Sequence, residues 1–522
     1  MVAEPIADAG LELLRTACEV VEFGPGADLG EALTTAEALV VRSATRVDAG
    51  MIASAPKLRV IGRAGVGVDN VDVDAATAAG IVVCNAPEAN VVSAAEHALA
   101  LMLSLARHVS AAERSLRDGL WERERFAGIE LDGKTLSLLG FGRIGRLVAT
   151  RARALGMQIV AYDPYVTVER MGELGVDGAV TIEAALEAAD VVSLHLPVND
   201  ATRGLIDSTR LALLKPGALL VNAARGALID EAALVAALES GQLGGAALDV
   251  FSKEPLAADS PLRTAPNLVL TPHLAGSTAE AQDRAGVVVA EQVVAALGGR
   301  PVAHALNLPY VPEDERRALE PFLPVAERLG RLAMALAQGP VKRIEIATAG
   351  RLASTGSGLL TSAALRGAFG AAHESLNDVN ARSIAAELGV EVAEQHRSGA
   401  SDYTNLLAVT VRDPEERTVV GTVLGTEHRP WLVRVHGLPL EIELGGRLLL
   451  LRNDDAPGMV GRVGTLLGDA GINIANMTLS RSAAGGDAMM AFALDDDLPA
   501  TLLTTLSTLP GVLAPPLFVR LS

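Results

Sequence analysis

Apolar positions along the chain fall into short runs separated by helical periodicities, the rhythm of a parallel α/β fold. Residues 39–41, 59–61 and 81–84 are brief apolar runs that predict strands, with helices predicted over 7–17 and 73–79 between them. The stretch 93–107 is apolar on nearly all sides and predicts a buried helix linking two halves, with His97 as a hydrogen-bonded core residue. A second series of runs follows at 135–139, 158–162, 191–196, 218–221, 246–250 and 268–270. Continuous runs of this kind suit strands buried on both faces. Residues 301–312 read as a linker. Beyond it, a helix over 313–338 and strands at 344–348, 406–412, 419–424 and 432–435 predict a small α+β domain. A strand at 447–452 and a helical face of Met459, Val460, Val463, Leu466 and Leu467 follow, and a new strand opens at Ile472.

The strand predicted at 135–139 runs into Gly140-Phe141-Gly142-Arg143-Ile144-Gly145, and the next strand ends at Asp163. Strand, G-x-G-x-x-G, helix, strand and acid in this register form a dinucleotide site. Gly140 permits the tight turn, Gly142 lets backbone N–H groups approach a pyrophosphate, and Gly145 allows close packing of helix on strand. The helix N-terminus adds partial positive charge. Asp163 can accept from the adenosine ribose 2′-hydroxyl and would repel a 2′-phosphate, which selects NAD over NADP.

Length and charge narrow the function. At 522 residues the chain is too long for one core, so three or more domains are expected. A net charge of −19 argues against nucleic acid or an anionic membrane as partner, so an anionic substrate needs locally placed arginines. Cys18 and Cys84 are too few for a disulfide framework or a zinc cluster. The apolar stretch 91–105 contains Glu96 and His97 and is too short to span a bilayer. With no signal peptide evident, a cytoplasmic enzyme acting on a small molecule is expected.

The strand ends carry the candidate chemistry. Arg42 and Arg63 follow two strands of the first half, where open parallel sheets bind ligands. Their forked donors suit a carboxylate or phosphate. Three later strand ends deliver Arg225, Glu254 and His273. A histidine can take the proton of a secondary alcohol as hydride leaves. A buried glutamate on the other imidazole nitrogen would fix its tautomer, and an arginine would orient a 2-hydroxy carboxylate.

These motifs make the first 298 or so residues similar to the D-isomer-specific 2-hydroxyacid dehydrogenases. The resemblance implies a doubly wound parallel-sheet Rossmann domain that binds NAD (91–275). It is inserted in a flavodoxin-like substrate domain (1–90 and 276–304). The family's catalytic residues fall on Arg225, Glu254 and His273. Its nucleotide contacts fall on Arg143, Ile144, Asp163, Ala223, Arg225, Asp249 (the nicotinamide amide), His273 and Gly276. The turn at 273–278 departs from the family, with Ala275 and Gly276 in swapped order. The segments RSATRV and GRAGVGVDNVDV resemble those of phosphoglycerate dehydrogenases, which implies that Arg42, Ser43, Arg63 and Gly65 meet the substrate.

The remaining chain extends the resemblance. Asp455-Ala456-Pro457-Gly458, a helix and then Ile472-Asn473-Ile474 resemble the ACT domain, a βαββαβ module for small amino acids (446–522). There Asp455 would meet an amino group and Asn473 would bridge to it from a neighbouring chain. Asn453 stands where relatives carry an aromatic residue. With an intervening α+β domain (305–445), the whole resembles the long phosphoglycerate dehydrogenases. That implies oxidation of D-3-phosphoglycerate to 3-phosphohydroxypyruvate, the first step of L-serine synthesis, with L-serine as effector and a homo-oligomer, a tetramer. The alternatives are another D-2-hydroxyacid dehydrogenase (glyoxylate, hydroxypyruvate or D-lactate type) and a non-catalytic dinucleotide or amino-acid sensor.

Overall fold

A computed structural model describes the chain apart from residues 25, 310, 374, 398, 400, 401, 414 and 522 and the side chains of 313 and 314. The first sheet is parallel, with β1 (Ala38–Val41), β2 (Val60–Arg63) and β3 (Val82–Asn85) in that order. Its core is completed from far along the sequence by the return helix Ala279–Leu297. A Cβ on Gly62 would stand 2.6 Å from Val289 Cγ1, and one on Gly10 2.7 Å from the Gly286 carbonyl carbon. The glycines thus let this helix lie directly on the sheet and on the helix Asp8–Ala17.

The second sheet holds β4 (Thr135–Leu139), β5 (Gln158–Tyr162), β6 (Asp177–Gly178), β7 (Val191–Leu194), β8 (Ala218–Asn222), β9 (Leu243–Leu248) and β10 (Leu268–Leu270). All are parallel, in the order β10-β9-β8-β7-β4-β5-β6. Successive strand residues enter opposite cores: Leu138, Val191, Val221 and Ala247 pack on one face, Leu139, Val192, Leu220 and Leu248 on the other. Helices on both faces explain the unbroken apolar runs. The order reverses between β4 and β7, so a ligand crevice opens at their carboxyl ends. The chain enters this domain along the helix Val91–Ala106 and leaves it through 271–278.

The third sheet, β12-β11-β13-β14-β15-β16, comprises β11 (Arg343–Gly350), β12 (Glu391–Arg397), β13 (Asn405–Arg412), β14 (Glu416–Leu424), β15 (Arg429–Val435) and β16 (Leu438–Glu443). It is antiparallel except for the β11–β12 pair. The single helix expected over 313–338 is interrupted. It divides into Glu313–Leu319, a 3-10 turn Glu320–Phe322 and Leu323–Leu336, because Pro321 and Pro324 supply no N–H to a continuous ladder. The last sheet, β18-β19-β17-β20, is antiparallel and carries the helices Met459–Asp469 and Ala500–Ser507. Its strands are β17 (Arg447–Asp454), β18 (Ile474–Arg481), β19 (Asp487–Leu494) and β20 (Leu517–Arg520), a βαββαβ order. Among the described residues no helix is long and apolar enough to cross a membrane.

Candidate active site

The glycine loop sits at the reversal point of the second sheet. Gly140 has φ +98°, and a Cβ there would meet the His195 carbonyl oxygen at 2.3 Å. A Cβ on Gly145 would meet the Gly140 carbonyl oxygen at 2.3 Å, whereas one on Gly142 would have nothing within 4 Å. Two glycines are therefore set by packing and the third leaves open space above the N-terminus of the helix Arg143–Ala154, a cradle that fits a pyrophosphate. Asp163 Oδ2 accepts from Phe141 N at 2.8 Å and Oδ1 from Tyr165 N at 2.9 Å. These bonds aim the carboxylate at the loop and leave each oxygen a lone pair for a ribose hydroxyl. Burial pushes the neighbouring His195 imidazole down to about 4, so it is neutral at physiological pH.

A cleft of about 1210 Å³ separates the first two sheets. From the first half it is lined by Arg42, Ser43, Arg63 and Gly65, and from the second by Ile144, Ala223, Arg225, Glu254, His273 and Gly276. Arg143 stands outside that lining and pairs across the domain boundary with Glu88 at 2.8 Å.

His273 Nδ1 lies 2.7 Å from Glu254 Oε2, and Glu254 Oε1 accepts from Phe251 N at 3.0 Å. An ionised glutamate only accepts, so Nδ1 carries the proton and Nε2 is left as the acceptor. The glutamate was expected to be buried. Its side chain is instead 36% exposed and that of His273 51%, so the protein alone does not desolvate the pair.

Asp249 is fully buried beneath the cleft. Its Oδ1 accepts from Leu274 N, Thr271 Oγ1 and His97 Nε2, and its Oδ2 from Ala275 N. Burial pushes this carboxyl up, but bonds from His97, Thr271, Leu274 and Ala275 outweigh it and hold the group below the usual carboxylate range. Asp249 primarily builds the turn that carries His273, and one lone pair of Oδ2 is all it retains for a nicotinamide amide. The Ala275-Gly276 order suits this turn: Ala275 is buried, and a Cβ on Gly276 would press on Asn90 Nδ2 at 3.0 Å.

Cations face this pair. Arg225 Nη1 donates to the Ala224 carbonyl at 2.7 Å, and its Nε lies 3.4 Å from Asp69 Oδ2 across the cleft. Arg63 Nε is buried without a hydrogen-bond partner among the described residues. Burial, and then repulsion from Arg225 and Arg42 against attraction by Asp69, pulls the Arg63 guanidinium below its usual range. Three guanidinium groups on one cleft, one with an unpartnered buried N–H, have the donor chemistry to hold a carboxylate or phosphate.

Glu4 was missed in the sequence. It is 5% exposed and accepts from the backbone N–H groups of Arg42, Ala44 and Thr45, which fixes the loop that presents Arg42 and Ser43. His195 and Arg263, which also line the cleft, were missed as well. His195 was visible as another strand-end histidine, whereas no motif marks Glu4.

The two residues expected at an amino-acid site do not meet within one chain. Asp455 accepts from Arg481 Nη1 at 2.8 Å and Gly485 N at 3.0 Å, while Asn473 Nδ2 donates to Asp495 Oδ2 at 2.6 Å. They sit at opposite ends of β19, whose eight residues span about 26 Å at the usual strand rise. Asn453 is buried, with Nδ2 donating to the Asp454 carbonyl.

Three segments of the chain match known families. Residues 99–275 match the NAD-binding domain of the D-isomer-specific 2-hydroxyacid dehydrogenases, 318–436 the D-3-phosphoglycerate dehydrogenase intervening domain, and 447–511 the ACT domain. The chain is 40% identical over 520 residues to a D-3-phosphoglycerate dehydrogenase of Archaeoglobus fulgidus, covering 98% of both chains. It is 44% identical over 512 residues to one of Mycobacterium tuberculosis, covering 97% of this chain and 96% of that one. Among solved structures, a glyoxylate reductase from Paecilomyes thermophila superposes with a TM-score of 0.52 at 33% identity, over 58% of this chain and 97% of its own. The chain therefore belongs to the D-3-phosphoglycerate dehydrogenase family, the branch of the NAD-binding D-isomer-specific 2-hydroxyacid dehydrogenases that carries an intervening domain and an ACT domain.

Proposed function

We propose that the protein oxidises D-3-phosphoglycerate to 3-phosphohydroxypyruvate with NAD, in the cytoplasm, as the first step of L-serine synthesis. NAD, when bound, supplies a two-electron acceptor that takes the C2 hydrogen as hydride. Gly140, Gly142, Gly145, Arg143 and Ile144 would hold its pyrophosphate side, Asp163 its ribose, and Ala223, Asp249 and Gly276 the nicotinamide end. His273 Nε2 takes the C2 hydroxyl proton while Glu254 retains Nδ1–H, so the ring becomes an imidazolium beside a carboxylate. Arg225 orients the substrate carboxylate and polarises the developing carbonyl. Arg42 and Arg63 supply positive charge towards the phosphate, and Ser43 and Gly65 complete the substrate site.

The observation that carries this reading is one cleft holding the His273–Glu254 pair at 2.7 Å together with Arg42, Arg63 and Arg225. The domains are taken as 1–90 with 276–304, 91–275, 305–445 and 446–522. L-Serine is the proposed effector, bound at the ACT domain between chains of a homotetramer, since Asp455 and Asn473 stand too far apart to share one ligand alone. NADH formation compared across 3-phosphoglycerate, glycerate, glyoxylate and D-lactate, with and without L-serine, tests substrate and regulation together. A preference for a non-phosphorylated acid would refute the substrate assignment, and indifference to L-serine the effector.

A further inference from the structure

The turn that carries His273 is built around Asp249, which lies just past the end of the neighbouring strand β9. Asp249 receives Thr271 Oγ1 at 2.6 Å, Leu274 N at 2.8 Å and Ala275 N at 2.8 Å, and its own carbonyl accepts from His273 N at 2.8 Å. His273 has φ +55°, a conformation that a non-glycine residue holds only where its surroundings fix it. Thr271, Leu274 and Ala275 all lie in the turn, and the sheet holds the backbone on both sides, through Asp249 N to the Asn222 carbonyl at 2.9 Å and Thr271 N to the Leu248 carbonyl at 3.0 Å, which leaves the orientation of the carboxylate to its side-chain partners.

His97 is the donor to Asp249 that comes from elsewhere. It stands on the helix Val91–Ala106, which carries the chain between the two halves, and its Nε2 lies 3.1 Å from Asp249 Oδ1 and 3.2 Å from Thr271 Oγ1. The Thr271 hydroxyl proton already points to Asp249, and a carboxylate has none to give, so Nε2 must donate. One turn earlier, Ser93 Oγ lies 2.7 Å from Thr278 Oγ1, where the returning chain starts its helix. One helix face thus follows the segment that carries His273.

We infer that His97 is a positioning residue for the dehydrogenation: its Nε2–H anchors Asp249, and with it the His273 turn, to the crossing helix. The inference rests on the reading of His273 as the base. In the full-length enzyme, H97L should lower kcat roughly 10- to 100-fold, while the KM for 3-phosphoglycerate and the Kd for NADH each stay within about 2-fold. H97Q, whose amide N–H reaches the same oxygen, should recover most of kcat, and H97N, one methylene shorter, should not. Rates are to be expressed per NADH-binding site, so that loss of folded protein does not count as loss of turnover. H273A measured in parallel separates the two ideas. An inactive H273A with a normal H97L overturns the anchoring role alone, and an active H273A overturns both. Equal defects in H97Q and H97L, or a kcat loss matched by lost NADH affinity, would also overturn it.

Discussion

Glu254 Oε2 and His273 Nδ1 lie 2.7 Å apart although 19 residues separate them in the chain. The glutamate belongs to the segment after β9 and the histidine to the segment after β10, and these neighbouring parallel strands bring both ends to one rim of the cleft. In the proposed mechanism Glu254 would fix the ring's tautomer, and its charge would stabilise the imidazolium formed during turnover.

Glu254→Ala should therefore lower kcat about 10- to 100-fold with little change in NADH affinity, and Glu254→Gln less, since its amide oxygen still accepts from Nδ1. Steady-state kinetics with NADH binding by fluorescence separates the two quantities.

Arg63→Ala and Arg42→Ala should raise KM for 3-phosphoglycerate roughly 30-fold, the loss of a charge-assisted hydrogen bond, while barely altering weak activity towards unphosphorylated glycerate. Equal losses on both acids would place these arginines on the carboxylate instead.

Asp163→Asn should narrow the preference for NAD over NADP by about 10-fold or more, because one negative charge beside the 2′-phosphate disappears. The amide oxygen can still accept one of the two loop N–H groups, so the fold should survive. The ratio of kcat/KM for the two coenzymes reports the change.

Glu4 sets a pH signature. Burial pushes its carboxyl up, but bonds from Thr45, Ala44 and Arg42 outweigh this and hold it below the usual carboxylate range. A folded-state value below the unfolded one contributes stability that is fully present above the unfolded pKa, about 4.3, and is lost as pH falls through the folded value. Glu4→Gln should cost about 1–3 kcal/mol at neutral pH and give a shallower decline in acid. Urea unfolding midpoints across the acid range check both parts.

The nucleotide loop is legible in the sequence because its defining contacts are local: Gly140 meets Gly145, and Asp163 reaches Phe141, 22 residues away. The strand-end cations and the histidine are legible because parallel sheets gather strand ends. Their supports are not, since Glu4 reaches Arg42 across 38 residues and His97 reaches Asp249 across 152, with no periodicity to mark either. The edge strands β12 and β16 escaped for another reason. An edge strand pairs on one side only, so β12 can be almost wholly exposed and β16 can contain Pro439. The commitment of Asp455 to Arg481 is likewise a tertiary pairing that the Asp-Ala-Pro-Gly motif does not encode.

The most direct test is the initial rate of NADH formation from NAD and D-3-phosphoglycerate by the wild-type protein and by His273→Ala. Robust formation by the wild type and a kcat lower by about 10²–10⁴ in the variant is the predicted result. No NADH from the wild type, or a variant that turns over at the wild-type rate, would contradict the account.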